Sequence, residues 1–288
     1  LCKIIFLILY IDHFWEQNKI KTWPNQFVKC SSFKVLIDLN HRVPVWLEIA
    51  FLKKAVMTNY TKKNITKLRP SSTLVINEKS KELIAKGKKV YSFGFGQSPF
   101  PVPKSIVNKL KENAHRKEYL PIQGLVALRE SISKYLLKKT GMSYPKENIL
   151  ITPGSKEAML LMHVAFNGEI ILSAPSWVSY EPQAIIGRNK VHWIETTREN
   201  NWFPTAKELE KKIKSVGKKK NLILILNSPN NPSGAVCKNL DELANVAKKY
   251  KILVLSDEIY TDLTFTNEYN SISTFYPELT FITGGLSK

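Results

Sequence analysis

Cysteine is scarce in this sequence. The 288 residues hold three, Cys2, Cys30 and Cys237, odd in number and unclustered. That excludes a disulfide framework and a cysteine zinc site, and no metal is expected. A reducing compartment, the cytoplasm, is the expected location. Long apolar runs are missing too. The run from Ile4 to Ile11 stops at Asp12 after eight residues, too few to cross a bilayer. It has the length of a signal-peptide core, but no small-residue cleavage site follows it. Acids are few: 24 against 43 lysines and arginines, a formal net charge of +19. Such an excess suits a nucleic-acid or anionic-membrane binder. No zinc finger or other nucleic-acid motif accompanies it, however. The lysines of 104–117 and 207–220 alternate with isoleucine, leucine and valine, the pattern of solvated helix faces. Neither a nucleic-acid nor a membrane partner is therefore expected. Internal repeats and low-complexity linkers are also absent.

What is present is core material. An apolar content of 43% is ample for one large domain, or for one domain and part of another. Met57 opens a polar, lysine-rich stretch, and translation is expected to begin there, with residues 1–56 a doubtful extension. From about residue 88 the pattern is regular. Apolar, β-branched runs predict buried strands at Val90–Phe93, Ile149–Thr152, Ile170–Ser173, Val191–Ile194, Leu222–Leu226, Ile252–Leu255 and Thr280–Thr283. Helical faces lie between most of them. One is Ile106, Val107 and Leu110. The next is Leu125, Leu128, Ile132, Tyr135 and Leu136. Met159, Leu160, His163 and Val164 follow, then Leu209 and Ile213, then Leu240, Leu243 and Val246. Strands alternating with helices predict an α/β protein: three layers, α/β/α, around a mostly parallel central sheet. In such sheets ligands bind beyond the carboxyl ends of the strands.

Five strand exits carry chemistry. Gly154, Ser155 and Lys156 open a helix after Ile149–Thr152. Free N–H groups, a hydroxyl and the positive dipole end suit a phosphate, although taken alone the turn reads first as a plain N-cap by Ser155. Trp177 follows Ile170–Ser173 and suits stacking on a planar ring, or simple packing. Asn231, between Pro229 and Pro232, is a rigid donor for a ligand oxygen, or part of an ordinary turn. Asp257 ends a buried strand. An acid there is costly unless a cation meets it, and a protonated heterocyclic nitrogen would serve. Lys288 follows two glycines and a leucine–serine pair at the last exit, and read alone is a surface lysine. Together the five are complementary to a pyridine ring that carries a phosphate, a phenolic oxygen and an aldehyde.

In these segments the sequence resembles the class I and II aminotransferases, the fold type I enzymes that use pyridoxal phosphate (PLP). The segments in family order are GFGQSPFPVP at 94–103, KEYLPIQGLVALRE at 117–130, ITPGSKEAM at 151–159 and APSWVSY at 174–180. They continue with NSPNNPSGAV at 227–236, SDEIY at 256–260 and GGLSK at 284–288. The resemblance implies that Lys288 forms the Schiff base with PLP and moves the proton. It implies that Asp257 pairs with the pyridinium nitrogen, and that Asn231 and Tyr260 hydrogen-bond the phenolic oxygen. Trp177 would stack on the ring, and Gly154, Ser155 and Lys156 would hold the phosphate. Tyr119 would reach the phosphate of a neighbouring subunit, which makes a homodimer expected. Gly96 would cover the substrate carboxylate, with Trp177 and Asn231 beside it. Gly285 departs from the family's usual phosphate-binding serine.

By the same resemblance, residues 57–103 belong to a small domain and 104–288 to the PLP-binding large domain. The C-terminal part of the small domain and two arginines, for phosphate and for substrate carboxylate, would lie beyond Lys288. The 288 residues alone are then expected to be a truncated product, poorly soluble and inactive. The implied activity is amino transfer from an amino acid to a 2-oxo acid. The alternatives are a PLP-dependent lyase or aminocyclopropane-carboxylate synthase-like enzyme, and a non-catalytic basic binding protein.

Overall fold

A computed structural model describes residues 61–91, 100–217, 220–264 and 270–288. The expectations for residues 1–56 and for Gly96 lie outside them. So do Ser92 and Phe93 of the first expected strand, whose Val90 and Tyr91 carry no regular structure. The described residues belong to one unit, Tyr60–Lys288.

Among the described residues five strands form a sheet: β1 (Glu169–Ala174), β2 (Val191–Glu195), β3 (Leu222–Asn227), β4 (Leu253–Asp257) and β5 (Thr280–Thr283). Their order is β2-β1-β3-β4-β5, and every pairing is parallel. The helices are α1 (Ser72–Ala85), α2 (Lys104–Asn113), α3 (Val126–Thr140), α4 (Ser155–Ala165), α5 (Tyr180–Gly187), α6 (Ala206–Val216) and α7 (Leu240–Tyr250).

Side chains alternate across a strand, so an all-apolar strand feeds two cores at once. Ile171, Leu222, Leu224, Leu226 and Val254 join Leu209 and Ile213 of α6 and Leu240, Leu243 and Val246 of α7. Ile170, Leu172, Ile223, Ile225 and Leu255 join Met159 of α4 and Tyr180 and Ala184 of α5. This is the expected three-layer arrangement. Each fully buried leucine or isoleucine contributes about 1.5–3 kcal/mol. The helix ends are well specified. Thr205 and Glu208 form a reciprocal capping box at the start of α6. Acids Asp241 and Glu242 open α7 and lysines Lys248 and Lys249 close it, matching its dipole.

Three differences from the sequence pattern are instructive. Ile149–Thr152 is extended but joins no ladder among the described residues. Its Ile151 N–H donates to the Gln123 carbonyl at 3.0 Å, and Leu150 is 53% exposed. An apolar run becomes a strand only where a neighbour accepts its backbone bonds. Ile252 does not open β4, because its N–H closes α7 on the Ala247 carbonyl at 3.1 Å. The expected face of α2 forms, but Ile106 and Leu110 on it are exposed.

Candidate active site

Consecutive strands β1 and β2 build the sheet outward in one direction, and β3, β4 and β5 build it in the other. The order reverses between β1 and β3. At such a point the loops beyond the two strand ends diverge and leave a crevice. The loop after β1 carries Trp177, and the loop after β3 carries Asn231.

Asp257 is the centre of the arrangement. It is the last residue of β4, in register with Asn227 on β3 and Thr283 on β5. It is 3% exposed. The Tyr180 hydroxyl donates to its Oδ2 at 2.6 Å. The Ile259 N–H and the Thr283 hydroxyl each donate to Oδ1 at 3.3 Å. Burial pushes the carboxyl above its ordinary value, against the pull of these three donors. Among the described residues it meets donors and no cation.

A second chain of bonds starts from the same residue. The Asp257 carbonyl accepts from the Asn227 side chain at 2.9 Å. The Asn227 Oδ1 accepts from the Asn231 N–H at 2.7 Å, and the Asn231 side chain donates to the Tyr260 hydroxyl at 3.0 Å. Asn231 and Tyr260, which the family resemblance implied as donors to one ligand oxygen, are thus bonded to each other, on a base set by Asn227.

Trp177 packs edge-on against Tyr180, ring centroids 5.2 Å apart at 79°. The Lys156 ammonium lies 5.5 Å from the Trp177 ring centre. Gln183 of α5 donates to the Lys156 carbonyl at 2.7 Å. These contacts bring the first turn of α4 to Trp177, although no sheet strand precedes it among the described residues. Gly154 is the N-cap of α4, at φ +89°, a conformation that favours glycine. No side chain caps this end. The plain N-cap reading of Ser155 is thereby corrected: Ser155 is the first helical residue. The turn keeps donors and the dipole end for an anion.

Lys288 and Tyr119 are exposed. Among the described residues no hydrogen bond, ion pair or ring contact joins either of them to the groups around Asp257. A Cβ at Gly285 would come within 3.1 Å of Ile259 Cδ1. A serine there would need Ile259 to shift, which gives the glycine a packing reason.

Tyr180 and Asn227 were not singled out by sequence reasoning. A tyrosine at the start of a helix and a polar residue ending an apolar strand were the available signals. Replacing Tyr180 by phenylalanine is expected to destabilise the cofactor-free protein by about 1–3 kcal/mol at neutral pH. The bond holds down the Asp257 pKa, so losing it raises that pKa further above the ordinary 3.8. A raised folded-state pKa means stability lost as pH rises from 3.8 through the folded value. The deficit should therefore widen with pH in urea unfolding. A deficit that is flat or shrinking with pH would contradict this.

Comparisons with known proteins agree on one family. The family model described as aminotransferase class I and II matches residues 88–288. An aspartate aminotransferase of Thermotoga maritima is 33% identical over 217 residues, 73% of this chain and 56% of that protein. One from Geobacillus stearothermophilus is 33% identical over 238 residues, 78% of this chain and 59% of that protein. Among solved structures, the Thermus thermophilus aspartate aminotransferase with maleate superposes at a TM-score of 0.73 and 28% identity. It covers 79% of this chain, and the match spans 60% of its own length. The chain thus spans between half and two thirds of the relatives it matches.

Proposed function

The chain belongs to the aminotransferase class I and II family, and from that premise we propose that it is the cofactor-binding part of a PLP-dependent transaminase moving an amino group from an amino acid to a 2-oxo acid. The observation that carries this is Asp257: a buried carboxylate, ringed by donors, at the exit of a central strand.

The donor set fits the cofactor. When bound, PLP would supply an electron sink for the pair left when the substrate's Cα–H bond breaks. Asp257 would keep the ring nitrogen protonated, and that positive charge would in turn offset the cost of a buried carboxylate. Asn231 and Tyr260 would hold the phenolic oxygen, and Trp177 would cover the ring. The uncapped turn of Gly154, Ser155 and Lys156 would take the phosphate. Lys288 would anchor the cofactor and move the proton at the reacting carbon, because a displaced amine is a free base held in place.

Residues 57–103 would belong to a small domain and 104–288 to the large one. The homodimer reading is supported by the exposed Tyr119, Leu120 and Ile122, an apolar patch of the kind that partners cover. A cytoplasmic setting suits Cys237, whose buried thiol is pushed up to about 12 and stays protonated. No helix among the described residues is long and apolar enough to cross a membrane.

The test is an assay of the full gene product loaded with PLP. Amino-group transfer that depends on an added 2-oxo acid supports the reading. Release of pyruvate and ammonia with no acceptor would replace it with a lyase. Salt-sensitive nucleic-acid binding without cofactor uptake would replace it with a binding protein.

A further inference from the structure

One buried carboxylate has no part in the roles above. Glu258 follows Asp257 directly and is 7% exposed. Its Oε1 accepts from the Ser256 hydroxyl at 2.9 Å and from the Ser271 hydroxyl at 2.5 Å. Ser271 and Ser273 share a hydroxyl–hydroxyl bond of 2.6 Å, and Ser273 and Tyr144 share one of 2.7 Å. A hydroxyl has one proton to give. Ser271 gives its proton to Glu258, so it accepts from Ser273, and Ser273 accepts from Tyr144. The direction of the whole chain is set by the carboxylate at its end. Ser256, Ser271 and Ser273 are all buried, so water does not replace these bonds.

The segments tied together are those that present the site. Ser256 and Glu258 flank Asp257 on β4 and its exit. Ser271 and Ser273 lie in the turn that leads into β5, and beyond β5 lies Lys288. The Glu258 N–H also donates to the Thr283 carbonyl at 2.8 Å, at the end of β5. Tyr144 lies on the stretch that runs on to the Gly154 turn.

We infer that Glu258 is a positioning residue: its carboxylate anchors the β4 exit, the turn before β5 and Tyr144 at one buried point, and so fixes Asp257 relative to the exit that carries Lys288. This rests on the reading that Asp257 and Lys288 hold the cofactor. It assigns Glu258 no contact with substrate or cofactor.

The test is a PLP titration of the full gene product, read by the visible absorbance of bound cofactor. Glu258→Ala should weaken PLP binding by roughly tenfold or more, the size of a lost buried acceptor, and should shift the band and its pH profile. Glu258→Gln, which keeps an acceptor oxygen, should restore part of both. Should the alanine variant fail to fold, Ser271→Ala removes one donor and should weaken binding about threefold. A lower melting temperature with the parent's PLP affinity and spectrum would make the network structural only and overturn the inference. So would an unchanged Ser271→Ala. A parent that takes up no PLP would overturn the proposed function itself, and this inference with it.

Discussion

Lys288→Ala is expected to abolish amino-group transfer, by roughly three orders of magnitude or more, without unfolding the protein. Both halves follow from where the residue sits. It lies beyond β5, exposed, after the glycines Gly284 and Gly285. No core cluster of the described residues depends on its side chain, so the loss should fall on chemistry rather than on folding. Catalytically the loss is double. In its proposed role a covalent anchor would disappear, and so would the base that moves the proton, itself worth about 10²–10⁴-fold. Lys288→Arg separates charge from nucleophilicity. It keeps the cation but offers no free amine at neutral pH, so it should be about as inactive as alanine. The measurements are product formation and thermal unfolding on the same preparations. Residual activity within tenfold of the parent would remove Lys288 from its role.

Asp257→Asn should act in opposite directions on function and on stability. Asparagine keeps the shape and most hydrogen-bond capacity but not the charge. A protonated ring nitrogen would then face a neutral amide in a buried place. Breaking a buried charge pair costs about 3–5 kcal/mol, so activity should fall by roughly two to four orders of magnitude. Without cofactor the balance reverses. Burial raises the Asp257 pKa above 3.8. Below that value both folded and unfolded chains are protonated there. As pH rises through the raised value the unfolded chain gives up its proton first, and wild-type stability falls. Asparagine has no such penalty. The stability of the cofactor-free variant relative to wild type should therefore improve as pH rises across that window. Urea unfolding at several pH values checks it, and a constant difference would contradict it.

The sheet was readable because its signal is local. Leu222–Leu226 is apolar without interruption, and β3 is buried at every position. Thr280–Thr283 is found as expected. Ile149–Thr152 carries the same apolar pattern and fails as a strand, because pairing is decided by a neighbour that no local pattern records. The site divides in the same way. Asp257 and Asn231 stood out because each polar group follows an apolar run, whereas Tyr260 came only from the family resemblance. Asn231 and Tyr260 do meet, 29 residues apart in sequence. Tyr180 lies 77 residues from Asp257, and nothing near either residue announces their bond. Glu258 was hidden for a related reason. Beside Asp257 it reads as one more acid, and only the return of Ser271 makes it an anchor. Spacing reveals which face a residue takes, but not which distant side chain arrives there.

The central claim is that Lys288 is the residue that holds PLP. Borohydride reduction of the PLP-loaded full gene product fixes the cofactor covalently to the amine that carries it, and peptide mass mapping then identifies that lysine. The account predicts a single pyridoxyl label, on the peptide ending GGLSK at 284–288 or spanning it. A label on Lys156 or on any other lysine, with Lys288 unmodified, would contradict it.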